Sequence, residues 1–151
     1  MESITTIRDL SASDLPALRP LIAELIASLD DPANFDVDTA IRNCRALLGQ
    51  SDHALLVAGA GETLCGFLHL AIRKSILHDR PVGLIDELVV GVERRGQGVG
   101  SLLIEAALDR GRALGCCEIE VSTERTNRDA QAFYRRCGFD EEGVLFEMHL
   151  S

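Results

Sequence analysis

No stretch of this 151-residue chain approaches the roughly 18 consecutive apolar residues that a membrane span requires. The N-terminus, Met1-Glu2-Ser3-Ile4, has no basic segment leading into an apolar core, so no secretory signal is expected. Both absences point to a cytoplasmic protein. Positive charge is scarce: 15 Lys and Arg face 24 Asp and Glu, a formal charge of −9. That balance argues against nucleic acid as the main partner, though it leaves room for a local pocket for an anionic ligand. The five cysteines (Cys44, Cys65, Cys116, Cys117, Cys137) are odd in number and form no C-x-x-C pair. Neither a zinc site nor a disulfide framework is indicated, and they read as reduced, mostly buried thiols. No cysteine stands beside an obvious base, so no thiol nucleophile is expected. The histidines (His53, His69, His78, His149) lack ligand spacing and read as surface or strand residues, with no metal expected. There is no internal repeat, low-complexity tract or linker. One domain over 1–151 is the reading, long enough to hold a real core.

What is present is a regular succession of elements. Residues 3–8 are β-branched and read as a first strand. Ser11-Ala12-Ser13-Asp14 supplies helix-start chemistry, and Leu15, Leu18, Leu21, Ile22, Leu25, Ile26 and Leu29 then form one apolar helical stripe. Pro20 lies inside that stripe and predicts a kink or a break. A second helix is predicted over 37–48, with Ile41, Cys44, Leu47 and Leu48 facing inward. Strands follow at 54–59, 64–72 and 84–90, the first two joined by a turn at 59–62. A helix is predicted through 102–114 and stopped by Gly115, then a strand at 117–121, then a helix at 127–137 closed by Gly138. Residues 139–150 are expected to finish the sheet as two short strands around Gly143. The fold class is α/β with a mixed sheet, in the order β-α-α-β-β-β-α-β-α-β-β. The crossover through 98–114 makes its flanking strands parallel.

The most informative stretch is Val89-Val90-Gly91-Val92-Glu93-Arg94-Arg95-Gly96-Gln97-Gly98-Val99-Gly100-Ser101-Leu102-Leu103. An apolar strand stops at a glycine turn and an apolar helix follows directly. The first turn of a helix carries free N–H groups and the positive end of the macrodipole, which suits a phosphate or pyrophosphate. A Walker A loop needs Lys and Ser or Thr where Gln97 and Gly98 stand. A dinucleotide fingerprint needs G-x-G-x-x-G after an early strand. Here Gly96-x-Gly98-x-Gly100 is one residue short and late in the chain. A plain turn with no ligand is the remaining reading on this motif alone.

Arg95-Gly96-Gln97-Gly98-Val99-Gly100 resembles the (Arg/Gln)-x-x-Gly-x-(Gly/Ala) motif of the GNAT superfamily of N-acetyltransferases. Asn127 to Phe139, read Asn-Arg-Asp-Ala-Gln-Ala-Phe-Tyr-Arg-Arg-Cys-Gly-Phe, is similar to that superfamily's Asn-x-x-Ala-x-x-Phe-Tyr-x-x-x-Gly-Phe segment. The two motifs occur in the family's order, and the resemblance covers essentially the whole chain. It implies that acetyl-CoA is the cosubstrate, with no metal. Its pyrophosphate would lie on backbone amides of Arg95, Gly96, Gln97, Gly98, Val99, Gly100 and Ser101. A bulged strand around Leu88, Val89 and Val90 would pair with the pantetheine arm, beside a gap to the next parallel strand, and polarise the thioester carbonyl. Asn127 would meet pantetheine, with Ala130 of the same motif beside it, and is also a natural helix cap.

The resemblance further implies direct attack by a primary amine on the thioester. Tyr134, the single tyrosine, stands where the family places the phenol that protonates the departing sulfur. A phenol titrates near ~10 and is protonated at neutral pH. Glu87 is the carboxylate expected to act as base. Asp86 is its neighbour, and strand alternation cannot choose between them because a bulge would reverse the parity. Glu120 and Glu124 are held in reserve. For the acceptor, the segment from Glu24 to Asp38 carries Glu24, Asp30, Asp31, Asp36 and Asp38 with no Lys or Arg, which favours a cationic small-molecule amine. The basic segment 73–80 suits an acidic acceptor or a partner subunit instead. A protein or peptide amine as acceptor and a non-catalytic acyl-CoA-binding module are the alternatives. Homodimers are common in the family, although nothing in this sequence specifies one.

Overall fold

The structure, a computed structural model, describes residues 4–151. The start of the first predicted strand, at Ser3, and most of the Met1–Ile4 segment lie outside the described residues. The chain forms two compact units, one ending at Glu120 and one running from Val121 to Ser151. No helix among the described residues is long and apolar enough to cross a membrane.

The first unit holds strand β1 (Thr5–Asp9), helices α1 (Leu15–Ala27) and α2 (Val37–Leu47), and strands β2 (His53–Ala60), β3 (Thr63–Arg73) and β4 (Val82–Val90). Helix α3 (Val99–Ala113) and strand β5 (Glu118–Val121) follow, the last residue of β5 opening the second unit. The sheet order is β1-β2-β3-β4-β5, with antiparallel pairing from β1 through β4. The sheet is mixed. The Cys117 N–H donates to the Pro81 carbonyl at 2.9 Å, which sets the starts of β4 and β5 level, as a parallel crossover through α3 requires. Being only four residues long, β5 accompanies the first half of β4 and stops short of Leu88–Val90.

Local chemistry explains the element boundaries. Asp14 ends a short 3-10 turn before α1. It accepts from the Ser11 N–H at 2.9 Å and from both Arg8 guanidinium nitrogens at 2.7 and 2.8 Å. Arg8 first, helped by the Ser11 backbone and hydroxyl, holds this carboxyl well below the ordinary carboxylate range. Because the folded form is the more acidic one, its contribution is complete above the unfolded value near ~4 and is lost as pH falls below it. The stability gap between wild type and Asp14→Asn, read as urea midpoints, is expected to be full at neutral pH and to shrink in strong acid. A gap constant with pH would remove Asp14 as the source. Helix α1 runs unbroken through Pro20, so the expected break is absent and only the hydrogen bond to the Pro16 carbonyl is lost. Asp36 caps α2 by accepting from the Asp38 and Thr39 amides at 3.0 and 3.2 Å.

The two helices cover one face of the sheet. Leu15, Leu18, Leu21 and Ile22 of α1, with Ile41 and Cys44 of α2, pack on Leu55, Val57, Phe67 and Val89. Helix α3 covers the opposite face. There Gly66 lies so close to it that an added Cβ would sit 2.9 Å from Leu103 and 3.1 Å from Val99.

Two expectations about strands need correction. The bulge is not at Leu88–Val90, where Leu88, Val89 and Val90 pair in regular register with Leu68, Phe67 and Gly66. It is at Asp86, because His69 pairs with Glu87 while Leu70 pairs with Ile85. Residues 139–150 do not form the two closing strands, so the element order ends at the fourth helix. The alternation is real, but a strand exists only against a hydrogen-bonding neighbour. No backbone–backbone bond is made beyond the Phe139 N–H among the described residues, and Val144, Leu145, Phe146, Met148 and Leu150 are 62% to 90% exposed.

The second unit is organised by helix α4 (Arg128–Arg136). The Asn127 side chain caps it, accepting from the Ala130 N–H at 3.0 Å. Gly138 ends the segment with φ of +100°. Tyr134 lies between Phe133 and Phe139, at ring-centroid distances of 5.4 and 5.9 Å.

Candidate active site

The glycine loop is built as an anion cradle. After a 3-10 turn at Val92–Arg94, the chain passes Gly96 and Gly98 with φ of +75° and +84° and enters α3, with Gly98 as its N-cap. These left-handed positions favour glycine strongly. Among the described residues the backbone amides of Arg95, Gly96, Gln97, Gly98, Val99, Gly100 and Ser101 make no hydrogen bond, and the first helical amide to do so is that of Leu102, onto the Gly98 carbonyl at 3.1 Å. A run of unspent N–H donors at the positive end of a 15-residue helix suits a phosphate or pyrophosphate. The side chains serve the loop itself. The Arg95 Nε donates to the Val90 carbonyl at 3.1 Å, Arg94 donates to the Gln97 Oε1 at 3.1 Å, and Gln97 donates to the Glu93 carbonyl at 3.2 Å.

On the sheet face carrying α1 and α2, the Asp86 bulge gathers a polar cluster. Ligand-type atoms of His69, Asp86 and Glu87 all lie within 4.8 Å of one another. Alternation therefore does not have to choose between the two carboxylates, because the bulge brings both to the same histidine. The Glu87 Oε2 is 2.6 Å from the His69 Nδ1, and the His69 Nε2 is 2.9 Å from the His53 Nδ1. Both ring nitrogens of His69 are thus engaged. Burial first, and Glu87 second, push the Asp86 carboxyl above its ordinary value, opposed by His69 and His53. The same two causes push the Cys44 thiol on α2 up to about 11, which leaves it protonated and unreactive at neutral pH. His69 and His53 were not singled out from the sequence. The available signal was a lone polar residue inside the apolar run from Cys65 to Leu70, which the structure buries to 8% exposure.

The acidic segment divides by use. Asp36 is a helix cap, Asp38 pairs with Arg19 at 2.6 Å, and Asp31 accepts from Asn34 at 3.0 Å. Glu24 accepts from the Val92 N–H at 3.1 Å and lines a cavity of about 720 Å³. The walls come from α1, the β2–β3 hairpin and the start of the glycine loop, and include Glu62, Glu93, Arg94 and Gln97. Of the reserve carboxylates Glu120 and Glu124, Glu120 is paired with Arg73 at 3.3 Å; the neighbouring Glu118, not a reserve, lies 3.1 Å from the His78 Nε2. Two of the four basic residues of 73–80, Arg73 and His78, are therefore answered within the chain.

In the second unit the Tyr134 hydroxyl has no hydrogen-bond partner among the described residues. Burial first, and the Cys137 thiol second, raise its phenol above the ordinary value, so it is a proton donor throughout the neutral range. Asn127 spends its side-chain oxygen on the helix cap and keeps its amide nitrogen.

An acyl or phosphate carrier held on backbone amides at the end of a mixed sheet is the class of site these features define. The chain belongs to the acetyltransferase (GNAT) family, which it matches over residues 17–139. It is 31% identical over 143 residues to an aminoalkylphosphonate N-acetyltransferase of Salmonella typhimurium, covering 95% of this chain and 90% of that one. It is 30% identical over 155 residues to an aminoglycoside N(6')-acetyltransferase type 1 of Stenotrophomonas maltophilia, covering 98% and 95%. Among solved structures it is similar to the aminoglycoside N-acetyltransferase AAC(6')-Iy in complex with CoA, with a TM-score of 0.83, 25% identity and coverage of 97% and 95%. The chain is an N-acetyltransferase with acetyl-CoA as cosubstrate.

Proposed function

We propose that the chain moves the acetyl group of acetyl-CoA to the primary amine of a small cationic molecule by direct attack. The observation that carries the choice of acceptor is the cavity beside the glycine loop, whose wall bears the carboxylates of Glu24, Glu62 and Glu93. Carboxylates in a concave, partly desolvated wall concentrate cationic ligands. The two relatives named above are by name enzymes of small amines, an aminoalkylphosphonate and an aminoglycoside, which supports a small-molecule acceptor, and the aminoglycoside is the cationic one of the two.

The roles follow from what the reaction needs. The amides of Arg95 to Ser101 hold the pyrophosphate, and their fixed dipoles need no reorganisation when the anion arrives. The backbone of Leu88, Val89 and Val90 lies along the pantetheine arm, past the end of β5, and Asn127 and Ala130 meet that arm from α4. Glu87 takes the ammonium proton, the neutral amine adds to the thioester carbonyl, and Tyr134 gives its proton to the departing sulfur. The adduct nitrogen gives up its second proton as the C–S bond breaks, which restores the phenol, and Glu87 passes the ammonium proton to solvent, so one proton is released per acetyl group transferred.

The test is thiol release from acetyl-CoA across a panel of aminoglycosides, aminoalkylphosphonates, polyamines and N-terminal peptides. Turnover with small cationic amines and none with peptides is the expected result. Turnover confined to peptides overturns the acceptor class, and tight acetyl-CoA binding with no turnover on any amine overturns catalysis.

A further inference from the structure

Resting on Glu87 as the base, we propose that His69 and His53 are positioning residues that fix the orientation of its carboxylate and decide which of its oxygens meets the substrate. The hydrogen bonds permit only one arrangement of neutral rings. A carboxylate can only accept, so the proton of His69 sits on Nδ1 and is donated to the Glu87 Oε2 across 2.6 Å. The Nε2 of a neutral His69 is then bare and must accept, so the proton of His53 sits on Nδ1 and is donated across 2.9 Å. His53 therefore locks the tautomer of His69, and His69 locks the rotamer of Glu87.

The three side chains belong to adjacent strands β2, β3 and β4. Register brings them together: His69 is the direct partner of both Leu55 and Glu87, and His53 is its diagonal neighbour. Exposure increases along the chain at its working end, from 10% for the His69 side chain to 45% for Glu87. A short, charge-assisted bond thus anchors Oε2 from the buried side and leaves Oε1 outward, with no partner among the described residues. Among the described residues, the titratable groups that interact with this carboxylate include His69 on β3, Asp86 on its own strand and Cys44 on α2, with His53 on β2 behind His69. Asp52 lies at the far end, 3.9 Å from the His53 Nε2.

The experiment compares pH profiles of kcat/KM for wild type, His69→Ala, His69→Asn, His53→Ala and Glu87→Gln. Loss of the donor in His69→Ala is expected to lower kcat between about tenfold and about 100-fold. It should also displace the acid limb of the profile, with the KM for acetyl-CoA unchanged. His69→Asn, whose amide nitrogen stands near the place of Nδ1, restores the limb. His53→Ala moves it in the same direction by less, and decides the matter alone if His69→Ala fails to fold. If Glu87→Gln abolishes the acid limb while neither histidine variant moves it, Glu87 is the base and the positioning pair is wrong. If Glu87→Gln leaves the limb in place, the assignment of the base itself falls, and this inference with it.

Discussion

Replacing Tyr134 by Phe is expected to lower kcat by about 100-fold or more, the usual scale for removing a general acid, and to leave the KM for acetyl-CoA unchanged. The thiolate of CoA is a tolerable leaving group, but it departs carrying a negative charge unless it is protonated. A proton delivered as the C–S bond breaks removes the charge that would otherwise build on sulfur. The phenol is suited to that task because its neighbours, by burial above all, keep it protonated across the neutral range. The substitution deletes only the hydroxyl. The ring stays between Phe133 and Phe139, so helix α4 keeps its packing and the loss is chemical rather than structural. Activated acyl donors make the check stricter: a thioester with a more acidic thiol should narrow the gap between variant and wild type. An unchanged kcat, or a gap indifferent to the leaving group, removes Tyr134 as the acid.

Replacing Gly98 by Val is expected to do the opposite, weakening CoA binding by about tenfold or more while leaving kcat at saturating acetyl-CoA close to wild type. The residue has φ of +84°, where a side-chain-bearing residue is destabilised by about 1–2 kcal/mol, and tenfold in affinity corresponds to about 1.4 kcal/mol. A Cβ added at Gly98 meets no protein atom within 4 Å, so the new side chain enters the open space above the amides rather than the core. Calorimetric titration with CoA gives the answer directly. Wild-type affinity with an intact fold would place the pyrophosphate elsewhere. The two variants thus separate binding from chemistry, one at each of the two motifs that first pointed to acetyl-CoA.

Those motifs were legible because each is local. The glycine loop and the Asn127 cap are made by residues within a few positions of one another, so spacing alone carries their geometry. The helices α1 to α4 were legible for the same reason, each with a stripe and a stop. What could not be read was set by pairing between strands. His69 and Glu87 are 18 positions apart and meet only through the β3–β4 register, and that register depends on one unpaired residue at Asp86. The closing strands at 139–150 failed for a related reason. The alternation of Val144, Phe146, Met148 and Leu150 records a preference for a sheet, while a strand also requires a free edge to receive it, and no sequence pattern states where that edge is.

The Asp86 bulge works as a joint between two lengths of one strand. Before it, Gly83 and Ile85 face α3, and after it the even positions take over that face, with Leu88 opposite Leu68 and Val90 opposite Gly66. The two halves of β4 thereby present positions of opposite parity to the same helix. A single-residue deletion at 86 would remove the carboxylate and the bulge together and leave every other β4 side chain on its present face, because Ile85 and Glu87 already pair with the successive residues Leu70 and His69. The extra residue is spare to the alternation, and what it adds is a local bend and a second carboxylate beside His69.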